Sequence, residues 1–169
     1  MTSRFRIAAL APGHDRSGFA CGVEALDRYI AERAGQDVRR RVATCWVAHE
    51  VDSPVIAGFY TLAAGSVSLD GLPEAVGRRL PRYPSVPVAR LGRLAIDRRH
   101  AGRGLGAALL WDAATRAARA ELGIVAMLVD AKGEPAASFY RRHGFVPLRD
   151  EPLRLVLPLA GLTGFVRGA

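Results

Sequence analysis

The sequence predicts a mixed α/β protein (mixed α+β) built on one central sheet. Three observations carry this. β-rich apolar runs bounded by turn residues alternate with segments whose apolar residues recur at helical spacing. Strands stand both before and after helices, which gives about six or seven strands and about four helices in a sheet of mixed direction. The 169 residues are half apolar and contain no internal repeat or Gly/Ser linker, so a single domain over residues 1–169 is expected.

Phe5-Arg6-Ile7 reads as a short opening strand. From Val23 to about Ala34, the residues Leu26, Tyr29, Ile30 and Ala34 fall on one helical face. Val42–Ala48 and Val55–Ala64 are β-rich runs separated by Asp52-Ser53-Pro54, the pattern of an antiparallel hairpin. The stretch Leu69–Pro84 is rich in Gly and Pro and reads as a loop with a short helix near Glu74–Leu80. Val86–Ile96 is a long strand candidate, and the alanine-rich segment Leu105 to about Leu122, stopped by Gly123, is the strongest helix. Ile124–Val129 reads as a buried strand. Pro135 to about Arg142 is a helix ended by Gly144, and Phe145–Leu148 and Leu153–Leu157 complete the sheet.

Composition narrows the function. No window reaches the ~20 apolar residues of a membrane span, and Met1–Ile7 has no signal-peptide core, so a cytoplasmic protein that is not bound to membrane is expected. Cys21 and Cys45 lack metal-ligand spacing and read as reduced packing residues. His14, His49, His100 and His143 are scattered, and no metal is expected. Net charge is +8, carried by 23 arginines and one lysine, Lys132. A GC-rich genome explains arginine over lysine; the excess of cations over anions points to a polyanionic partner such as nucleic acid.

Arg99-His100-Ala101-Gly102-Arg103-Gly104-Leu105-Gly106 lies between a strand and a helix. Its glycines let the backbone approach a ligand, and the first free amides of the Leu105 helix face a phosphate along the helix dipole. A dinucleotide fingerprint requires G-x-G-x-x-G and an acidic residue about 20 positions on. Here the glycines are 102, 104 and 106, and position 124 is Ile. The G-K-[ST] of a P-loop is absent too.

Arg99-x-x-Gly102-x-Gly104 resembles the acetyl-CoA pyrophosphate loop of the GNAT N-acetyltransferases. Forty residues on, Ala136-x-x-Phe139-Tyr140-x-x-x-Gly144-Phe145 is similar to their second signature. The segments Phe19-x-Cys21-Gly22, Leu26-Asp27-x-Tyr29-Ile30, Gly58–Ala63, Leu91–Asp97, Ala131-Lys132-x-Glu134 and Leu153-x-Leu155-x-Leu157 resemble the GNAT toxins of bacterial toxin–antitoxin pairs. The likeness runs from about residue 15 to 158. It departs at Gly133, where the superfamily often has a CoA-contacting Asn.

The resemblance implies a GNAT fold whose splayed strands, Val88–Ile96 and Ile124–Val129, hold acetyl-CoA. It implies pantetheine contacts from the backbone of Leu94, Ala95 and Ile96, and pyrophosphate contacts from Arg99, Gly102, Arg103, Gly104, Leu105, Gly106 and Ala107. Tyr140 is then the general acid that protonates the CoA sulfur. Glu134 and Asp97 read as solvated or capping carboxylates rather than as a general base. The acceptor implied is the α-amine of an aminoacyl-tRNA, and the partners are a ribbon-helix-helix antitoxin and a second copy as homodimer. Candidate tRNA contacts are Arg93, which matches the toxin pattern, Arg90, the cluster Arg39, Arg40 and Arg41, and Arg78, Arg79 and Arg82 of the proline-rich loop. Two alternatives stay open: a GNAT acting on a small amine or a protein N-terminus, and a non-catalytic basic module that binds nucleic acid.

Overall fold

The computed structural model describes residues 4–162; positions 1–3, part of the segment read against a signal peptide, and 163–169 lie outside the described residues. Seven strands are hydrogen-bonded in the order β1-β2-β3-β4-β5-β7-β6. They are β1 (Phe5–Ala9), β2 (Thr44–Glu50), β3 (Ile56–Ser68), β4 (Ser85–Ile96), β5 (Ala126–Asp130), β6 (Val146–Leu148) and β7 (Glu151–Pro158). Among the described residues, no helix is long and apolar enough to cross a membrane. The chain divides into two compact units, residues 1–63 with 92–113, and 64–91 with 114–169.

In the first unit β1 pairs antiparallel with β2, and β2 with β3 across the turn that holds Asp52-Ser53-Pro54. This is the expected hairpin, with β3 reaching four residues beyond Ala64. A continuous helical stretch follows β1: α1 (Glu24–Arg28), a π-helical turn (Tyr29–Arg33) and α2 (Ala34–Arg39). It buries Tyr29, Ile30 and Ala34 against Phe19, Cys45, Val47, Ile56, Phe59 and Ala95. The helix therefore runs five residues past the end read from its apolar stripe, so Arg39 lies within it and only Arg40 and Arg41 follow. Its terminus is a Schellman motif: the Val42 amide donates to Asp37 O (2.9 Å), and the Arg41 amide donates to Val38 O (3.1 Å). The left-handed position that usually carries glycine is filled by Arg41, at φ 61°.

In the second unit β4 and β5 are parallel, with Val88 opposite Ala126 and Leu91 opposite Val129. β7 pairs antiparallel with both β5 and β6. The core gathers Val67, Leu72, Val86, Val88, Ala126, Leu128, Leu148 and Val156. Here α3 (Glu74–Gly77) is three residues shorter than the short helix expected near Glu74–Leu80, and α5 (Glu134–Arg142) starts one residue before Pro135, which sits in its first turn. The helix α4 (Leu105–Ala118) begins in the first unit, ends in the second, and stops five residues before Gly123.

Candidate active site

Within the first unit, the end of β4 leads into a short 3-10 turn (Arg98–His100) and then into α4. The β4–β5 ladder stops at Leu91, so Leu94, Ala95 and Ile96 belong to the part of β4 beyond it. Asp97 organises the turn. It is 1% exposed and caps the 3-10 segment, accepting from the Arg99 amide (2.9 Å), Arg99 Nε (2.9 Å) and Arg99 Nη2 (3.2 Å). It also accepts from the amide of Ala20 (3.1 Å), a residue 77 positions earlier. Burial by itself would raise its pKa. The Arg99 bonds and the backbone amides outweigh that cost and hold the carboxyl at about 2, so it is ionised at neutral pH.

The loop beyond is open. Gly102 (φ 76°) and Gly104 (φ 78°) are in the left-handed region, and a Cβ at either would meet nothing within 4 Å. Backbone conformation, not crowding, requires glycine here. The Gly104 carbonyl accepts from the Ala108 amide (3.1 Å), which closes the first turn of α4. The amides of Leu105, Gly106 and Ala107 precede any in-helix acceptor, so they point with the helix dipole toward the loop. Arg103 is exposed beside them. This set fits an anionic diphosphate: left-handed glycines, unsatisfied amides and one cation. Arg99, by contrast, spends two of its guanidinium nitrogens on Asp97. His100 packs edge-on to Phe5 at 5.3 Å, and its Nδ1 is buried without a hydrogen-bond partner among the described residues.

The same unit holds Arg93, whose guanidinium carbon lies 3.6 Å from the centroid of the Tyr29 ring, a cation–π contact on the π-helical turn. The Tyr29 hydroxyl donates to Asp37 Oδ2 (2.9 Å). Sequence reasoning missed this pairing, because Arg93 on β4 and Tyr29 on the helix meet only in the folded chain. Arg39, Arg40 and Arg41 stand at the end of α2, and all three are exposed.

Tyr140 belongs to the second unit, on α5. It is 8% exposed, and its ring lies edge-on to Phe139 (5.3 Å) and Phe145 (5.4 Å). The chain turns back beneath it: the Tyr140 carbonyl accepts from the His143 amide (3.0 Å) and the Phe145 amide (3.1 Å), with Gly144 at φ 93°. Burial pushes the phenol up to about 12, so it keeps its proton throughout the neutral range. Gly133 is the extended N-cap of α5, without the side chain that an asparagine would bring. Glu134 is exposed and paired with Arg141, a solvated carboxylate. Arg90 bonds Asp130 (3.3 Å), which also takes Arg154 (2.8 Å), while Arg78 and Arg79 follow the end of α3.

Cys21 and Cys45 are free thiols. Burial raises both, Cys45 to about 12, so neither offers a thiolate. No group of His, Cys, Asp or Glu among the described residues is placed to hold a metal.

Known proteins are similar to this chain. A tRNA-acetylating toxin of Mycobacterium tuberculosis is 38% identical over 150 residues, 88% of this chain and 88% of the relative. The structure of AtaT complexed with acetyl-methionyl-tRNAfMet is similar with a TM-score of 0.88 at 28% identity, over 96% of this chain and 99% of that one. A tyrosine-to-phenylalanine mutant of the AtaT toxin, bound to the C-terminus of the antitoxin AtaR and acetyl-CoA, has a TM-score of 0.80 at 26% identity, over 97% and 99% of the two chains. The acetyltransferase (GNAT) domain family matches residues 41–147, a span that contains the glycine loop and Tyr140. The chain belongs to the GNAT acetyltransferase family.

Proposed function

We propose that this enzyme transfers the acetyl group of acetyl-CoA to the α-amine of an aminoacyl-tRNA, a toxin activity that blocks translation. The observation that carries the reading is the cradle of Gly102, Gly104 and the free amides of α4, combined with a tyrosine that burial keeps protonated. The likeness to a tRNA-acetylating toxin and to AtaT with its acetylated tRNA supports the acceptor.

In this reading the amides from Gly102 to Ala107 take the diphosphate, helped by Arg103. The backbone of Leu94, Ala95 and Ile96 holds the pantetheine, and one of those amides polarises the thioester carbonyl. The neutral amine attacks the carbonyl carbon and the C–S bond breaks. The ammonium formed on attack loses a proton to water, Tyr140 gives its own proton to the departing sulfur, and water returns one to the phenol. Asp97 is committed to Arg99 and Ala20, and Glu134 to Arg141, so neither serves as base. None is required, because an α-amine titrates near ~8 and esterification of its carboxyl lowers that further.

The arginines at positions 39–41, 78, 79, 90 and 93 are the proposed contacts to tRNA phosphates. The enzyme works in the cytoplasm as a homodimer restrained by a ribbon-helix-helix antitoxin, a pairing that the AtaT–AtaR complex supports. The test mixes purified protein, labelled acetyl-CoA and total charged tRNA. Label must appear on the α-amine of one or a few aminoacyl-tRNAs; label only on free amines or protein N-termini refutes the tRNA reading.

A further inference from the structure

The Gly/Pro-rich segment between β3 and β4 folds into a pocket instead of a simple loop. Leu72, 2% exposed, anchors it in the core of the second unit. Its base closes through the Leu69 amide on Pro84 O (3.2 Å), and its far wall through the Arg149 amide on Gly71 O (3.1 Å). That second bond draws in the β6–β7 turn, where Asp150 takes the left-handed conformation at φ 61°. The pocket of about 220 Å³ is lined by Arg78, Arg82 and Arg149 together with Asp70 and Glu74. Among the described residues, none of these three guanidinium groups has an ion-pair partner, although two carboxylates line the same pocket.

Unpaired guanidinium forks held around one cavity select a phosphate. The volume lies below the about 300–1,000 Å³ of small-molecule pockets, so it suits one unit of a polymer rather than a free substrate. Asp70 and Glu74 in the same pocket accept hydrogen bonds from hydroxyls, and RNA offers a 2′-hydroxyl beside each phosphate, which an acidic peptide does not. We propose that this pocket is a phosphate-binding subsite that seats one ribose-phosphate unit of the RNA acceptor. The proposal rests on the tRNA reading above; it joins two candidate contacts, Arg78 and Arg82, to Arg149, which is new, while Arg79, next in sequence, does not line the pocket.

The experiment compares the wild type, Arg82→Ala/Arg149→Ala and a control, Arg119→Ala, an exposed arginine of the same unit outside the pocket. For each, KM for charged tRNA is followed from about 50 to 200 mM salt. The double variant is expected to raise that KM by about tenfold and to flatten the log–log salt slope by about one, the loss of one phosphate contact. KM for acetyl-CoA stays unchanged, which shows that the variant is folded, and Arg119→Ala behaves as wild type. If the double variant keeps the wild-type slope while acetylating charged tRNA normally, the subsite is refuted and the tRNA reading stands. If the wild type acetylates no charged tRNA, the reading fails and takes the subsite with it. A poly-glutamate peptide that competes as well as uncharged tRNA, and loses that effect in the double variant, assigns the pocket to acidic protein and overturns the proposal.

Discussion

Asp97 is an almost fully buried carboxylate that remains charged, and the sequence alone does not reveal why. Two residues before Arg99, it reads as a cap, which is correct; its reach to Ala20 depends on a contact that no local pattern encodes. A carboxyl held at about 2 instead of 3.8 contributes about 2 kcal/mol, present above pH ~4 and lost as pH falls through about 2. Asp97→Asn is therefore expected to lower stability by about that amount at pH 7 and to remove the corresponding acid-side slope in denaturant titrations. Tyr140 gives the opposite case. Its phenol does not ionise below about 12, so the rate between pH 6 and 9 follows the acceptor amine alone. Tyr140→Phe is expected to cut kcat by about 10²–10⁴-fold, with the midpoint of the pH profile and the affinity for acetyl-CoA unchanged.

Elements announced by periodicity were legible: the β2–β3 hairpin, the long β4, α4 and α5 all occur where the pattern puts them. The misses share a cause. Helix α4 ends at Ala118 and not at Gly123, because a run of good helix formers sets propensity, whereas packing decides where the helix stops. The helix from Glu24 to Arg39 outlasts the stripe read from Leu26 to Ala34 because Val38, one turn further on, also packs against that core. Its C-terminus carries a measurable conflict. Arg41 occupies the glycine position of a Schellman motif at φ 61°, where an L-residue costs about 1–2 kcal/mol. Arg41→Gly is expected to raise the unfolding free energy by about 1 kcal/mol and, if the side chain meets phosphate as proposed, to weaken charged-tRNA binding at the same time. A gain in both would remove Arg41 from the RNA surface.

At the scale of the molecule, the +8 charge leaves cations well in excess of carboxylates. Activity on charged tRNA is expected to fall steeply with salt, whereas acetylation of a small amine by the same preparation stays flat. The conformation of the glycine loop was readable because Gly102 and Gly104 take left-handed backbone that calls for glycine. The arginine pocket was not, since Arg149 comes from a distant turn and reaches Gly71 only in the folded chain. The tie between Ala20 and Asp97 has a consequence for biosynthesis. A segment that leaves the ribosome early finds its fastening point only after 77 more residues have been made, so the turn at Asp97 is shaped late and by a partner already waiting. A nascent chain halted before Asp97 leaves the Ala20 amide without this acceptor, and the clasp closes only once both ends have been made.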